Sequence, residues 1–140
     1  MNRALATGAF VLLLTGCGSE GTDLESPDSP VAHYDWNPQD GGMDALLEGT
    51  LELRDGCLVV NPTWDDADTA VLAVFPRSFA AWDNADSVLS YDGRDYEIGD
   101  FVWAGGGFVT APTSAVIPAS CESASEVFLI QTESLEPPEG

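Results

Sequence analysis

The chain has no lysine and a single histidine, His33. Without lysine there is no amine for Schiff-base chemistry, and one histidine cannot supply a histidine-rich zinc site. Ser-His-Asp and Cys-His nucleophilic sites lack parts for the same reason, and no serine stands in a Gly-x-Ser-x-Gly turn. The sequence therefore predicts a protein that is not an enzyme and that uses no cofactor.

Basic residues are scarce throughout. Four Lys and Arg residues face 24 Asp and Glu residues, which gives a formal net charge of −20. Nucleic-acid-binding proteins neutralise phosphates with basic patches, so this composition excludes DNA and RNA as partners. Two interpretations of the charge stay open: solubility of the domain, or steering of cations and basic partners toward it.

Long apolar runs are confined to the start of the chain. Residues 1–3 (MNR) are positive, and residues 4–14 are uncharged and mostly apolar. About 11 apolar residues suit a secretory signal but are too few to span a bilayer, which takes about 20. The run ends in Leu14-Thr15-Gly16-Cys17.

That ending resembles the lipobox of bacterial lipoprotein signal peptides. The resemblance implies that residues 1–16 are a signal helix that is removed on export. It also implies that Cys17 carries a diacylglyceryl group, which anchors the protein to the extracytoplasmic face of the cell membrane. The alternative is an ordinary signal peptide with an incidental cysteine.

If Cys17 carries lipid, Cys57 and Cys121 remain as an even pair in an exported protein. Such a pair predicts a structural disulfide, with a loop of about 65 residues and a stabilisation of about 4 kcal/mol. A redox pair is usually a Cys-x-x-Cys motif, and a zinc site would need further ligands.

Composition divides the exported part into three. Residues 18–30 consist mainly of glycine, serine, proline and acids, so residues 17–42 are predicted to form a lipidated, flexible acidic tether. Residues 43–133 are predicted to form the folded domain, and residues 134–140 a disordered tail.

Short strands dominate the predicted domain. Residues 47–53 alternate apolar and polar, and Asp55-Gly56 separates them from residues 57–60, which indicates a type I′ hairpin. Its register places these residues opposite one another: Arg54 and Cys57, Leu53 and Leu58, Leu51 and Val60. The leucines then face the core and Cys57 faces the other side.

Further strands follow to residue 131. Residues 70–75 form an uncharged apolar run typical of a buried central strand, and Asp92-Gly93 marks a second hairpin. Six or seven short strands predict an all-β fold, a small antiparallel barrel of the OB-like or SH3-like kind. A β-sandwich is the alternative.

Several spaced motifs have a familiar arrangement. They are Leu47-x-Gly49-x-Leu51, Gly56-Cys57-Leu58, Phe75-Pro76, Ile98-Gly99-Asp100, Gly105-Gly106-Gly107 and Cys121. Together they resemble small extracytoplasmic lipoproteins of high-GC Gram-positive bacteria. The resemblance implies an exported lipoprotein and transfers no activity to any residue.

Carboxylates are the remaining chemical groups. Asp65, Asp66 and Asp68 lie in one predicted loop, and Asp83 and Asp86 lie in another. If the loops share one end of the fold, their oxygens could hold Ca²⁺, although solvated acidic loops are the simpler interpretation. Paired carboxylates could also serve a hydrolase.

Two tryptophans, Trp64 and Trp82, stand beside these acids. Aromatic residues in polar loops are typical of a contact surface, and packing into the core is the alternative. The sequence predicts a non-catalytic binding or envelope-structural domain, attached to the membrane through Cys17, with an unknown protein or small ligand as partner. A calcium-stabilised binding module and a carboxylate-only hydrolase are the alternatives.

Overall fold

The computed structural model of this protein describes residues 23–64, 69–110 and 114–138. The predicted signal peptide, Cys17 and the acids Asp65, Asp66 and Asp68 lie outside these residues. Within them the chain is all-β, as predicted, and its three 3₁₀ helices span Asp23–Glu25, Pro38–Asp40 and Ala119–Cys121. No helix in the described part is long and apolar enough to cross a bilayer.

Nine strands are present in the described ranges, more than the six or seven predicted. Their bounds are β1 Ala32–Tyr34, β2 Ala45–Arg54, β3 Cys57–Pro62, β4 Val71–Pro76, β5 Ala80–Asp83, β6 Val88–Tyr91, β7 Arg94–Glu97, β8 Phe101–Val109 and β9 Glu126–Ile130. The additional strands are β1 and β5, which are three and four residues long and, unlike the equally short β6 and β7, have no Asp-Gly turn to mark them in the sequence.

The first hairpin forms in the predicted register. Arg54 pairs with Cys57 across the turn, and Leu51 pairs with Val60 further along β2 and β3. Asp55 and Gly56 adopt φ angles of 51° and 81°, as a type I′ turn requires. Leu51 and Leu58 are buried, whereas Leu53 is exposed, because the hairpin tip extends beyond the core.

The second hairpin joins β6 and β7. Asp92 and Gly93, with φ angles of 50° and 80°, connect the paired residues Tyr91 and Arg94. Both Asp-Gly predictions are therefore confirmed, because this turn chemistry acts over four residues and depends little on the rest of the fold.

The strands form two sheets. One has the order β1-β4-β3-β2-β8-β9, and the other has the order β5-β6-β7. β4 also pairs with β9, so the pairing passes from β4 through β3, β2, β8 and β9 and returns to β4. The prediction of purely antiparallel pairing is wrong, because β4 runs parallel to both β1 and β9.

β4 is buried on both faces, which explains its uninterrupted apolar sequence. Val71, Ala73 and Phe75 belong to a large apolar cluster, which also receives residues from the three-stranded sheet. Leu72 and Val74 point the other way into a small apolar cluster. The small cluster consists of Ala32, Tyr34, Cys57, Val59, Leu72, Val74 and Cys121.

The predicted start of the domain at residue 43 is wrong. Leu24 and Val31 are buried in the large cluster. The Leu58 N–H donates to the Pro30 carbonyl at 2.9 Å, and β1 continues beside β4. Residues 23–36, the N-terminal segment, are thus part of the folded unit, because β3 and β4 pair at Val60 and Val71 and leave β4 an edge for β1.

The predicted disordered tail is also wrong for residues 134–138. Leu135 is buried, and its carbonyl accepts a hydrogen bond from the Trp103 N–H at 2.8 Å. All three tyrosine hydroxyls of the chain donate to this end of it: Tyr34 to the Ile130 carbonyl, Tyr91 to the Thr132 carbonyl and Tyr96 to the Glu136 carboxylate. These bonds hold residues 130–136 against the sheets.

Candidate contact surface

The predicted disulfide is present. Cys57 and Cys121 are bonded, with their Cα atoms 5.1 Å apart. Cys57 belongs to the small cluster, on the opposite face of β3 from Leu58, as the hairpin register predicted. The Ser120 hydroxyl donates to the Gly56 carbonyl at 2.9 Å, so the cross-link and this bond together fix the chain before β9 to the first hairpin.

A cleft of about 340 Å³ lies beside the disulfide. Its lining is mixed: Val59, Ala70 and Ala124 contribute apolar surface, and the serines in it are Ser120, Ser123 and Ser125. Arg54 stands at its wall, where its Nε lies 2.8 Å from a Glu52 carboxylate oxygen. The positive charge in the cleft is therefore matched by a carboxylate of the same strand.

Trp82 is not on a contact surface, so that prediction is wrong. Its side chain is only 1% exposed and belongs to the large cluster. Trp82 lies on β5, where alternate residues Ala80 and Trp82 face the core, and its indole N–H donates to the Asn84 side-chain oxygen at 2.8 Å. The four-residue strand explains the error, because a strand this short resembles a loop in the sequence.

Trp64 is exposed, as the contact-surface prediction requires. Its side chain is 52% exposed, and its ring meets that of Phe108 edge to face, with centroids 6.3 Å apart. Phe108 is 46% exposed and in turn packs edge to face on buried Phe128 at 5.0 Å. Trp64 and Phe108 form the aromatic pair of this surface.

Local backbone contacts position Trp64. The Thr63 N–H donates to the Glu48 carbonyl at 3.0 Å, which extends the pairing of β2 with β3 up to the residue before Trp64. Phe108 lies on β8, opposite Phe128 of β9. Sequence reasoning missed Phe108 because it follows three glycines, which pointed to a structural corner rather than to a surface.

In the acidic loop that joins β5 to β6, backbone N–H groups donate hydrogen bonds to carboxylates. One Asp83 carboxylate oxygen accepts from the Ala85 and Asp86 N–H groups, at 2.9 Å and 3.2 Å. The Asp23 carboxylate accepts from the Asn84 N–H at 3.1 Å. Within residues 23–64, 69–110 and 114–138, no group of three or more His, Cys, Asp or Glu residues is arranged to hold a metal ion.

His33 lies buried on β1, and its Nδ1 has no hydrogen-bond partner among residues 23–64, 69–110 and 114–138. Burial lowers the pKa of this imidazole, and the nearby Arg77 guanidinium lowers it further, against the opposing effect of Glu25 and Asp35. Arg77 forms ion pairs with both carboxylates, at 3.0 Å and 2.8 Å. These ion pairs join the N-terminal segment to the end of β4.

Comparison of the chain with models of protein families, with curated proteins and with solved structures finds no match.

Proposed function

We propose that this protein is a non-catalytic binding module held at the extracytoplasmic face of the cell membrane by lipid on Cys17. The observation that carries the binding role is the aromatic pair, because a half-exposed tryptophan supported by a second ring is typical of contact sites. The disulfide supports export, since such bonds persist in oxidising compartments.

We further propose that strands β2, β3, β4, β8 and β9 form a small closed barrel of the OB-like or SH3-like kind, with β1 added beside β4. The return of the pairing from β9 to β4 supports closure, since a closed sheet has no free edges in its ring. The three-stranded sheet contributes Trp82, Leu89 and Tyr91 to the same large cluster.

The buried N-terminal segment changes the expected length of the tether. Six residues separate Cys17 from Leu24. An extended chain covers about 3.3–3.6 Å per residue, so Leu24 lies within roughly 25 Å of the lipid-bearing residue. The domain is therefore held close to the bilayer, and the β5–β6 turn lies near the attached end of the domain, because Asp23 bonds to that turn.

Energy transfer tests this short tether. A dye on Ala85→Cys, in the exposed β5–β6 turn, should accept energy efficiently from a labelled lipid. A flexible linker of about 20 residues inserted after Gly21 should weaken that transfer, since the reach of such a linker grows with its length. Equal transfer with and without the linker would contradict the short-tether arrangement.

Cell fractionation tests the anchor itself. The wild-type chain should remain with membranes after washing with salt and alkaline carbonate. Cys17→Ser should be released or accumulate as a longer precursor, whereas Ser19→Ala, two residues away, should behave as wild type. Membrane retention of Cys17→Ser equal to that of wild type, with no lipid found by mass, would reject the anchor.

A further inference from the structure

We propose that the aromatic pair binds a cationic segment, rich in arginine or lysine, of a partner protein. This inference rests on the proposed role as a binding module and specifies the partner's chemistry. The juxtaposition that supports it is a half-exposed tryptophan, supported edge to face by Phe108, on a chain of formal net charge −20.

The exposed ring surface of the aromatic pair is suited to bind a cation. An aromatic ring has negative faces and a positive edge, so ring surface left uncovered attracts a cation within about 6 Å, and tryptophan does so most strongly. Trp64 keeps 52% of its side chain exposed although Phe108 contacts it. Phe108 is held on Phe128 of the core, so the pair is anchored before a partner arrives.

The arginines that the structure describes do not serve as the cation at the aromatic pair. The three arginines in the described part of the chain form ion pairs elsewhere: Arg54 with Glu52, Arg77 with Glu25 and Asp35, and Arg94 with Glu136. They lie on β2 at the hairpin tip, after β4 and on β7. None of these ion pairs involves Trp64 or Phe108. A cation bound at the aromatic pair would therefore come from another molecule.

The surrounding charge favours the same partner. Glu48 lies beside this site, because its carbonyl accepts a hydrogen bond from the Thr63 N–H, and the chain as a whole carries a formal net charge of −20. Acidic residues around an aromatic site raise the local concentration of cations and speed association at low salt. A cationic segment would be attracted both by the exposed ring of Trp64 and by the negative electrostatic field of the chain.

The other occupants of an aromatic surface fit less well. Two copies of a chain with net charge −20 repel one another, and a stable dimer buries about 800 Å² per partner, far more than two aromatic side chains offer. An anionic lipid surface repels the same charge. An uncharged apolar peptide would gain nothing from the electrostatic field.

Titration with designed peptides tests the proposal on the full lipidated chain in neutral detergent. The probe is a labelled peptide of alternating arginine and glycine, with glycine–serine and glutamate–glycine peptides of equal length as controls. Fluorescence anisotropy should show binding of the arginine peptide alone, weakening as salt rises. Trp64→Ala should weaken it roughly two- to fivefold, the range for one cation–π contact at an exposed site.

A matched variant separates the site from general aromatic loss. Phe101 is 48% exposed and lies at the opposite end of β8 from Phe108, so Phe101→Ala removes an exposed ring elsewhere. Phe101→Ala should bind the arginine peptide as wild type does. Melting curves of the two variants should coincide with that of wild type, since both side chains are on the surface.

Three binding results would overturn the proposal: absence of arginine-peptide binding, equal binding by Trp64→Ala, and equal binding of the glycine–serine peptide. A wild-type dimer in sedimentation that Trp64→Ala abolishes would also overturn it and make a second copy the occupant. Cys17→Ser should keep the peptide affinity, so failure of the anchor and failure of this inference give different results.

Discussion

The two apolar clusters on the opposite faces of β4 are built in different ways. The large cluster collects alternate residues from both sheets and includes Phe75, Trp82 and Phe128. The small cluster is closed by the N-terminal segment and is crossed by the Cys57–Cys121 bond. Burial of apolar area stabilises both faces, and at the smaller one the disulfide adds a constraint on the unfolded chain.

The largest effect is expected in the large cluster. Phe75→Ala should lower the free energy of unfolding by about 3–5 kcal/mol, because a fully buried aromatic ring leaves a cavity. Val74→Ala, the adjacent residue on the other face, should cost about 2 kcal/mol for two buried methyl groups. Urea unfolding measures both free energies. A larger loss of stability in Val74→Ala than in Phe75→Ala would contradict the assignment of the largest effect to the large cluster.

Loss of the disulfide is expected to have the second-largest effect on stability. Cys57→Ala with Cys121→Ala should lower the free energy of unfolding by about 2–4 kcal/mol, because the native bond closes a loop with a sequence separation of 64 residues. Amide exchange should quicken in β1 and β3, around the small cluster, and less in β6 and β7. Uniform loss of protection across both sheets would contradict the division into two clusters.

The tyrosine hydroxyls allow a finer comparison. Tyr91→Phe removes the 2.6 Å bond to the Thr132 carbonyl on the large-cluster side, and Tyr34→Phe removes the 2.6 Å bond to the Ile130 carbonyl on the other. Each should cost about 1 kcal/mol in thermal unfolding, with the apolar ring kept. A loss below about 0.3 kcal/mol in both would show that these bonds do not hold the C-terminal residues.

The smallest effect is a pH dependence of the N-terminal segment. The pKa of His33 is lowered from 6.5 by burial, so the folded state favours the neutral imidazole. Its contribution to stability is complete above pH 6.5 and is lost as the pH falls through the lower folded pKa, because the unfolded chain binds the proton more readily.

Substitution isolates this histidine, which is the only one in the chain. His33→Gln should flatten the decline in melting temperature just below pH 6.5, where carboxylates still carry their charge. Glu25, Asp35 and Arg77 remain in the variant and serve as the internal control. An identical pH profile in wild type and His33→Gln would exclude this role.

Local patterns predicted the parts of the fold that depend on neighbouring residues. Both Asp-Gly hairpins, the register around Arg54 and Cys57, and the buried strand β4 followed from turn chemistry and apolar runs. The disulfide followed from the number of cysteines once Cys17 was assigned to lipid, and the bond is present. Trp64 was expected at the surface and lies there.

Other parts depend on distant residues and could not be read locally. β1 was assigned to the tether because its partner in β4 lies about 40 residues further along the chain. Trp82 was placed at the surface because the pairing of β5 with β6 is what turns its side chain inward. Phe108 contacts Trp64 only because the pairing of β8 with β9 and the path of the chain after Thr63 bring the two rings together.

The sequence by itself determined the all-β class, the two tight turns, the cysteine pair and the strongly negative charge, because each follows from residue type or from contacts across a few positions. Only the tertiary structure decided that residues 23–36 of the predicted tether and residues 134–138 of the predicted tail belong to the folded unit, and that Phe108 rather than Trp82 accompanies Trp64. Burial and strand pairing join residues far apart in the chain, and no local pattern records which of them will meet.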